Sequence, residues 1–170
     1  LPISEAYKEL GDEDKALEYN QQYMDKNPNA APTDFMKLAE IYVNKAKKDP
    51  AKKIENIDKA IGVYAKLAEK YPTLKTFAKL QEGNTAFQNE LDDKAIAAYT
   101  EVINELEAKQ CDEDELSYLK TSYQYMGFIY TYDKQDFNTA KPYWDKLLKL
   151  DPQNKLANDA YEKAGLKPGE

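Results

Sequence analysis

Cys111 is the one thiol in the chain, and Asp112-Glu113-Asp114-Glu115 follows it directly. A cysteine nucleophile works as the thiolate, and neighbouring negative charge raises a thiol pKa instead of lowering it. The chain has no histidine, so the commonest general base and metal ligand is missing. Cys111 therefore reads as an inert, half-exposed side chain. The acidic run beside it, and Asp12-Glu13-Asp14 near the start, have the oxygens that calcium needs. An EF-hand loop requires alternate ligands, a central glycine and a closing glutamate, and neither run has that layout. Both read as solvated helix starts, where the helix dipole favours acids. No Gly-rich phosphate loop, Ser-centred elbow or Cys-x-x-Cys pair occurs. The expectation is a protein without catalytic residues, cofactor or metal.

All 24 basic residues are lysines, with 31 acids and a net charge of −7. Without arginine there is no planar fork for phosphate or carboxylate, and the acids are interspersed with the lysines throughout. Nucleic acid is thereby excluded as a partner. No apolar run approaches the ~18–20 residues that span a bilayer. The 14 tyrosines are the remaining source of chemistry, as packing or as contact residues with a polar tip. Tyr125 and Tyr132 lie off the stripe that the packing positions form.

Those positions recur. Aligned on Ala16, Ala60, Ala95 and Ala140, the fourth residue onward is Asn20, Tyr64, Tyr99 and Trp144. The seventh is Tyr23, Leu67, Val102 and Leu147, and the twelfth is Pro28, Pro72, Glu107 and Pro152. Small, then large, then apolar at helical offsets, with a terminating proline three times in four, marks an internal repeat. Upstream of these helices lie Phe35-x-x-Leu38-Ala39-x-x-Tyr42 and Tyr123-x-x-Met126-Gly127-x-x-Tyr130. In the third unit Gly83 lies 12 residues before Ala95, with Ala86 where a tyrosine is expected and Phe87 one residue off.

This pattern resembles the tetratricopeptide repeat family, whose signature is aromatic-x-x-Leu-Gly-x-x-Tyr, then Ala-x-x-x-Phe, then Pro. The resemblance covers nearly the whole chain. It implies an all-α, right-handed solenoid of antiparallel helix pairs, about nine helices, closed by a C-terminal capping helix. One domain over 1–166 is expected, with units 1–29, 30–72, 73–110 and 111–152, a capping helix 153–165 and a loose tail 167–170. Spacings of 44, 35 and 45 between the aligned alanines exceed the usual ~34 twice. The additions, at 44–53 and around Cys111, read as lengthened helices with shifted turns, one starting at Asp49-Pro50. The cap's stripe is expected from Leu156, Ala157, Ala160, Tyr161 and Ala164, with Gly165 ending it. Gly127 facing Ala140 would let one helix pair approach closely.

In this family the first helix of each pair lines a concave groove. The resemblance puts Met36, Glu40, Val43 and Asn44 there from the second unit, Asn84 and Gln88 from the third, and Gln124, Phe128 and Tyr132 from the fourth. One subgroup clamps a C-terminal carboxylate with Lys, Asn and Arg. This chain lacks Arg and has Glu40 where that subgroup has Asn, so that mode is excluded. The leading expectation is a non-catalytic module that binds a protein or peptide segment in this groove. The alternative is a structural segment that self-associates through its N-terminal end, where Leu1 and Ile3 begin partway through a unit. That end reads as cut from a longer protein, whereas the capped end near Glu170 reads as native. A glycan platform of Tyr125, Tyr132 and Trp144 is the third reading, weakened because Trp144 occupies a repeat-core position. Cellular location is unreadable, although Lys-only, Tyr- and Asn-rich usage leans bacterial and exported. Replacing Ala60 or Ala95 by Leu should overpack a helix junction and cost about 1–3 kcal/mol. Thermal denaturation that matched the parent protein would refute the repeat reading.

Overall fold

A computed structural model describes residue 7 and residues 10–169. Leu1, Ile3 and Glu170, used above to judge the two ends, lie outside the described residues. Eight α-helices and no strand occur among the described residues. They are α1 Glu13–Lys26, α2 Pro32–Lys48, α3 Lys53–Lys70, α4 Lys75–Phe87, α5 Asp92–Glu107, α6 Glu113–Phe128, α7 Phe137–Leu150 and α8 Lys155–Lys163. Short 3₁₀ turns, Pro50–Lys52 and Pro72–Leu74, precede α3 and α4, and α6 runs on into a π-helical turn, Ile129–Asp133. The chain divides into two compact units, Leu1–Thr85 and Ala86–Glu170.

The recurring proline explains where helices stop. A proline disfavours the helical conformation in the residue before it. Asn27, Tyr71 and Asp151 each precede one, and their ψ angles are 106°, 81° and 81°. Each still donates its N–H to the carbonyl four residues back, on Tyr23, Leu67 and Leu147. Asp49, before Pro50, behaves alike with ψ 89°, and its carboxylate accepts from the Ala51 N–H. The expected helix start at Asp49-Pro50 is thus a 3₁₀ turn, with α3 following at Lys53. Where the fourth proline is missing, α5 continues to Glu107 itself.

In the first unit, α2 and α3 are joined by residues 49–52 and pack along their lengths, which so short a link permits only if they run antiparallel. Phe35, Leu38, Ala39 and Tyr42 of α2 share one core with Ala60, Val63, Tyr64 and Leu67 of α3 and Ala78 of α4. The turn after α1 is pinned from α3's end: Lys70 Nζ donates to Asn27 O at 2.9 Å and the Tyr71 hydroxyl to Ala30 O at 2.7 Å.

In the second unit α6 packs against both α5 and α7. Ala95 and Ala140 are fully buried, as Ala60 is in the first unit. Gly127 admits the Trp144 ring, one turn along α7 from Ala140, the residue that the sequence suggested it would face. A Cβ at Gly127 would lie 2.6 Å from two indole carbons. At the π turn Ile129 is fully buried, in helical register with Ser122 and Met126, while Tyr130 is half-buried and stacks on Tyr143, centroids 6.1 Å apart.

The capping helix is shorter than expected and presents Ala157, Ala160 and Tyr161 inward. Leu156, one position off that i, i+3, i+4 face, is 38% exposed, and Ala164 is also exposed, so neither belongs to the stripe. Gly165, at φ 70°, closes α8 in a Schellman motif, its N–H donating to Glu162 O and that of Leu166 to Tyr161 O.

Two glycine substitutions should move stability in opposite directions. Gly62 in α3 has nothing within 4 Å of a would-be Cβ, so Gly62→Ala should gain about 0.5–1 kcal/mol of helix propensity. Gly127→Ala gains the same propensity but meets the Trp144 ring, at an overpacking cost of about 1–3 kcal/mol. Urea denaturation of both variants reads the two signs.

Candidate functional site

Met36, Glu40 and Asn44 follow each other at one-turn intervals on α2, and all three are exposed. The opposite side of the same helix is buried through Phe35, Leu38, Ala39, Tyr42 and Ala46. Val43, between the two, is half-buried. Glu40 is the charge of this strip, and it acts on Tyr64 of α3. Burial raises the Tyr64 phenol, a hydrogen bond with Thr85 of α4 works the other way, and the Glu40 charge adds to the rise. Glu40 of α2 and Thr85 of α4 thus both act on the Tyr64 phenol of α3. Asn84, beside Thr85 in the chain, is half-buried.

Residues 35–73, most of α2 and all of α3, match the family model described as tetratricopeptide repeat. This helix pair is similar to a tetratricopeptide repeat. No curated protein matches the chain. The match supports placing the chain in the tetratricopeptide repeat family, and the all-helical fold agrees with it. Repeats of this family are typically non-catalytic scaffolds for protein–protein interaction. No described helix is long and apolar enough to cross a membrane.

The second unit places its four named residues differently. Gln88 is exposed just beyond α4. Gln124, Phe128 and Tyr132 recur every four residues along α6 and its π turn, and α8 lies against this face. Asn154 Nδ2 donates to Gln124 Oε1 at 3.3 Å, and the Lys163 ammonium sits 4.6 Å from the centroid of Tyr132. Phe128 packs between Phe87 and Tyr132, at 5.5 and 4.8 Å. The Gln124 and Tyr132 contacts to α8 had no signature in the sequence, because they depend on how a polar helix docks.

The glycan platform does not assemble. Trp144 is fully buried, its indole N–H donating to Thr131 Oγ1 at 2.8 Å. Tyr125 stacks on Tyr99, with centroids 5.6 Å apart. The acidic runs begin helices: Asp12 accepts from the Lys15 N–H, and Asp112 and Glu115 form a reciprocal capping box. The Cys111 thiol donates to Leu106 O at 3.3 Å; burial and then Glu115 push its pKa up, away from a reactive thiolate.

A polar cluster that the sequence did not reveal joins three helices. Glu107 of α5 accepts from the Tyr123 hydroxyl of α6 at 2.5 Å and from Lys146 Nζ of α7 at 2.6 Å. Burial opposes ionisation of Glu107, but the hydrogen bonds from Lys146 and Tyr123 outweigh it and hold the carboxyl below its usual pKa of 4.5. A carboxyl depressed in the folded state adds stability above its unfolded pKa, and that stability is lost as pH falls through the folded value. Glu107→Gln should therefore destabilise at pH 7 by under about 1 kcal/mol, the pair being partly exposed. The difference from the parent should close below about pH 4.5, and urea titrations at pH 7 and pH 3 test it.

Proposed function

We propose that this tetratricopeptide repeat protein holds an extended or helical segment of another protein, and that the open face of α2 is a principal contact. Met36, Glu40 and Asn44 supply it, with Asn84 from α4. In the second unit Gln88, Gln124, Phe128 and Tyr132 are the proposed contacts. The observation that carries the reading is one helix, inside the segment matching the family, whose inner side is fully buried while three side chains of mixed character stand exposed at one-turn intervals. Residues on that side lie outside the core, so their types are free to serve a partner. A carboxylate flanked by a thioether and an amide favours a basic or neutral segment over an acidic one.

Exposed apolar residues in the first unit favour a second reading, self-association near the N-terminal end. Leu10 is 79% exposed and Ile54 60%. Light scattering across a concentration series would show a dimer if that reading holds, and a constant mass if it does not.

The groove reading is tested on the partner recovered with the full-length protein. Combined Met36→Ala, Glu40→Lys and Asn44→Ala substitutions should weaken that partner at least ~10-fold, as loss of contact residues does at protein interfaces. Circular dichroism should be unchanged, since none of the three is in the core. Undiminished affinity would show that α2 does not carry the contact.

A further inference from the structure

We propose that the α6 face beneath α8 is a docking site for an amphipathic helix of a partner protein, which reaches it by displacing α8. This inference rests on the reading of Gln124 and Tyr132 as partner contacts. Those two residues are touched by this chain's own C-terminal helix, which shows directly what kind of segment the face accepts. That segment is a helix whose buried side carries Ala157, Ala160 and Tyr161, the tyrosine seated on α7, with an amide before them on Gln124 and a lysine after them on Tyr132.

The seat of α8 is suited to exchange. At nine residues it is shorter than the ~12–15 at which isolated helices become even marginally stable, so its structure depends on the docking. Two of its three buried side chains are alanines, which remove little apolar area from water. Tyr161 is the anchor: its hydroxyl donates to Asp145, Phe137 meets its ring edge-on at 5.4 Å, and the Lys141 ammonium lies 5.8 Å from its centroid. A partner helix offering larger apolar side chains at the alanine positions would bury more surface on the same face. Charge favours a basic one. Residues 86–170 hold 17 acids against 10 lysines, whereas residues 1–85 hold 14 of each.

The test uses a fluorescein-labelled peptide of residues 152–166 as probe and the full chain as receptor. Tyr161→Ala removes the anchor and leaves the α6 face intact. Hydrogen exchange at 155–163 should accelerate at least ~10-fold while α5, α6 and α7 keep their protection. The peptide should bind Tyr161→Ala at least ~10-fold more tightly than the parent, whose site is occupied. Adding Gln124→Ala and Tyr132→Ala should abolish that gain. Asn154→Ala, which removes the N-cap and the contacts to Gln124 and Asp151, should release α8 about fivefold and serves if Tyr161→Ala does not fold. Accelerated exchange at α8 without tighter peptide binding would overturn the proposal. So would a dimer of the parent formed by trading α8 between copies, which would assign the face to a second chain. The α2 triple variant, run alongside, keeps the two readings apart: it should leave peptide binding unaltered whether or not it loses the partner.

Discussion

Close approach of helices at residues that carry little or no side chain is the constraint on which each unit depends. Gly127 shows it most directly. The Trp144 ring occupies the volume that any Cβ there would need, so α6 and α7 sit at a separation set by one missing carbon. Ala60, Ala95 and Ala140, all fully buried, do the same work elsewhere. Protein interiors pack at crystal-like density, so a notch of this kind is met by a specific large neighbour and not by a fluid average. The repeat pairs each notch with a bulky residue one turn later: Tyr64, Tyr99 and Trp144 are all buried.

A second constraint sets the length of the rods. Prolines at 28, 50, 72 and 152 force the preceding residue out of the helix, and that residue's N–H still closes the last turn. Helix ends are thereby fixed by local sterics before tertiary contacts act. Where a proline is absent, at Glu107, the helix runs on to that residue, and its carboxylate joins Tyr123 and Lys146 across three helices. A departure from the repeat has become a polar tie.

The two units use equivalent surfaces differently. In the first, the outer side of α2 is open and bears Met36, Glu40 and Asn44. In the second, the face bearing Gln124 and Tyr132 lies under a nine-residue helix held chiefly by one tyrosine. One unit thus presents such a face openly, and the other covers it with its own chain.

Much of this was legible in the residues. The alanine register, the buried fourth and seventh positions of the last three copies, the breaks before Pro28, Pro50, Pro72 and Pro152 and the glycine stop at Gly165 are local or periodic properties, and adjacent sequence states them. The all-helical class and the lack of an activating environment at Cys111 followed likewise. Other features came from contacts between residues far apart in the chain. That the Trp144 ring fills the notch at Gly127 depends on how α7 docks against α6. That Ile129 is fully buried and Tyr130 only half-buried depends on how the end of α6 seats against its neighbours. Gln124 and Tyr132 looked free because helical spacing identifies a face without saying what lies on it. Sequence determined where each rod begins, ends and is notched, since those are short-range steric matters. Tertiary structure alone decided which notch takes which ring and which faces stay open, because these depend on the relative rotation and docking of whole helices.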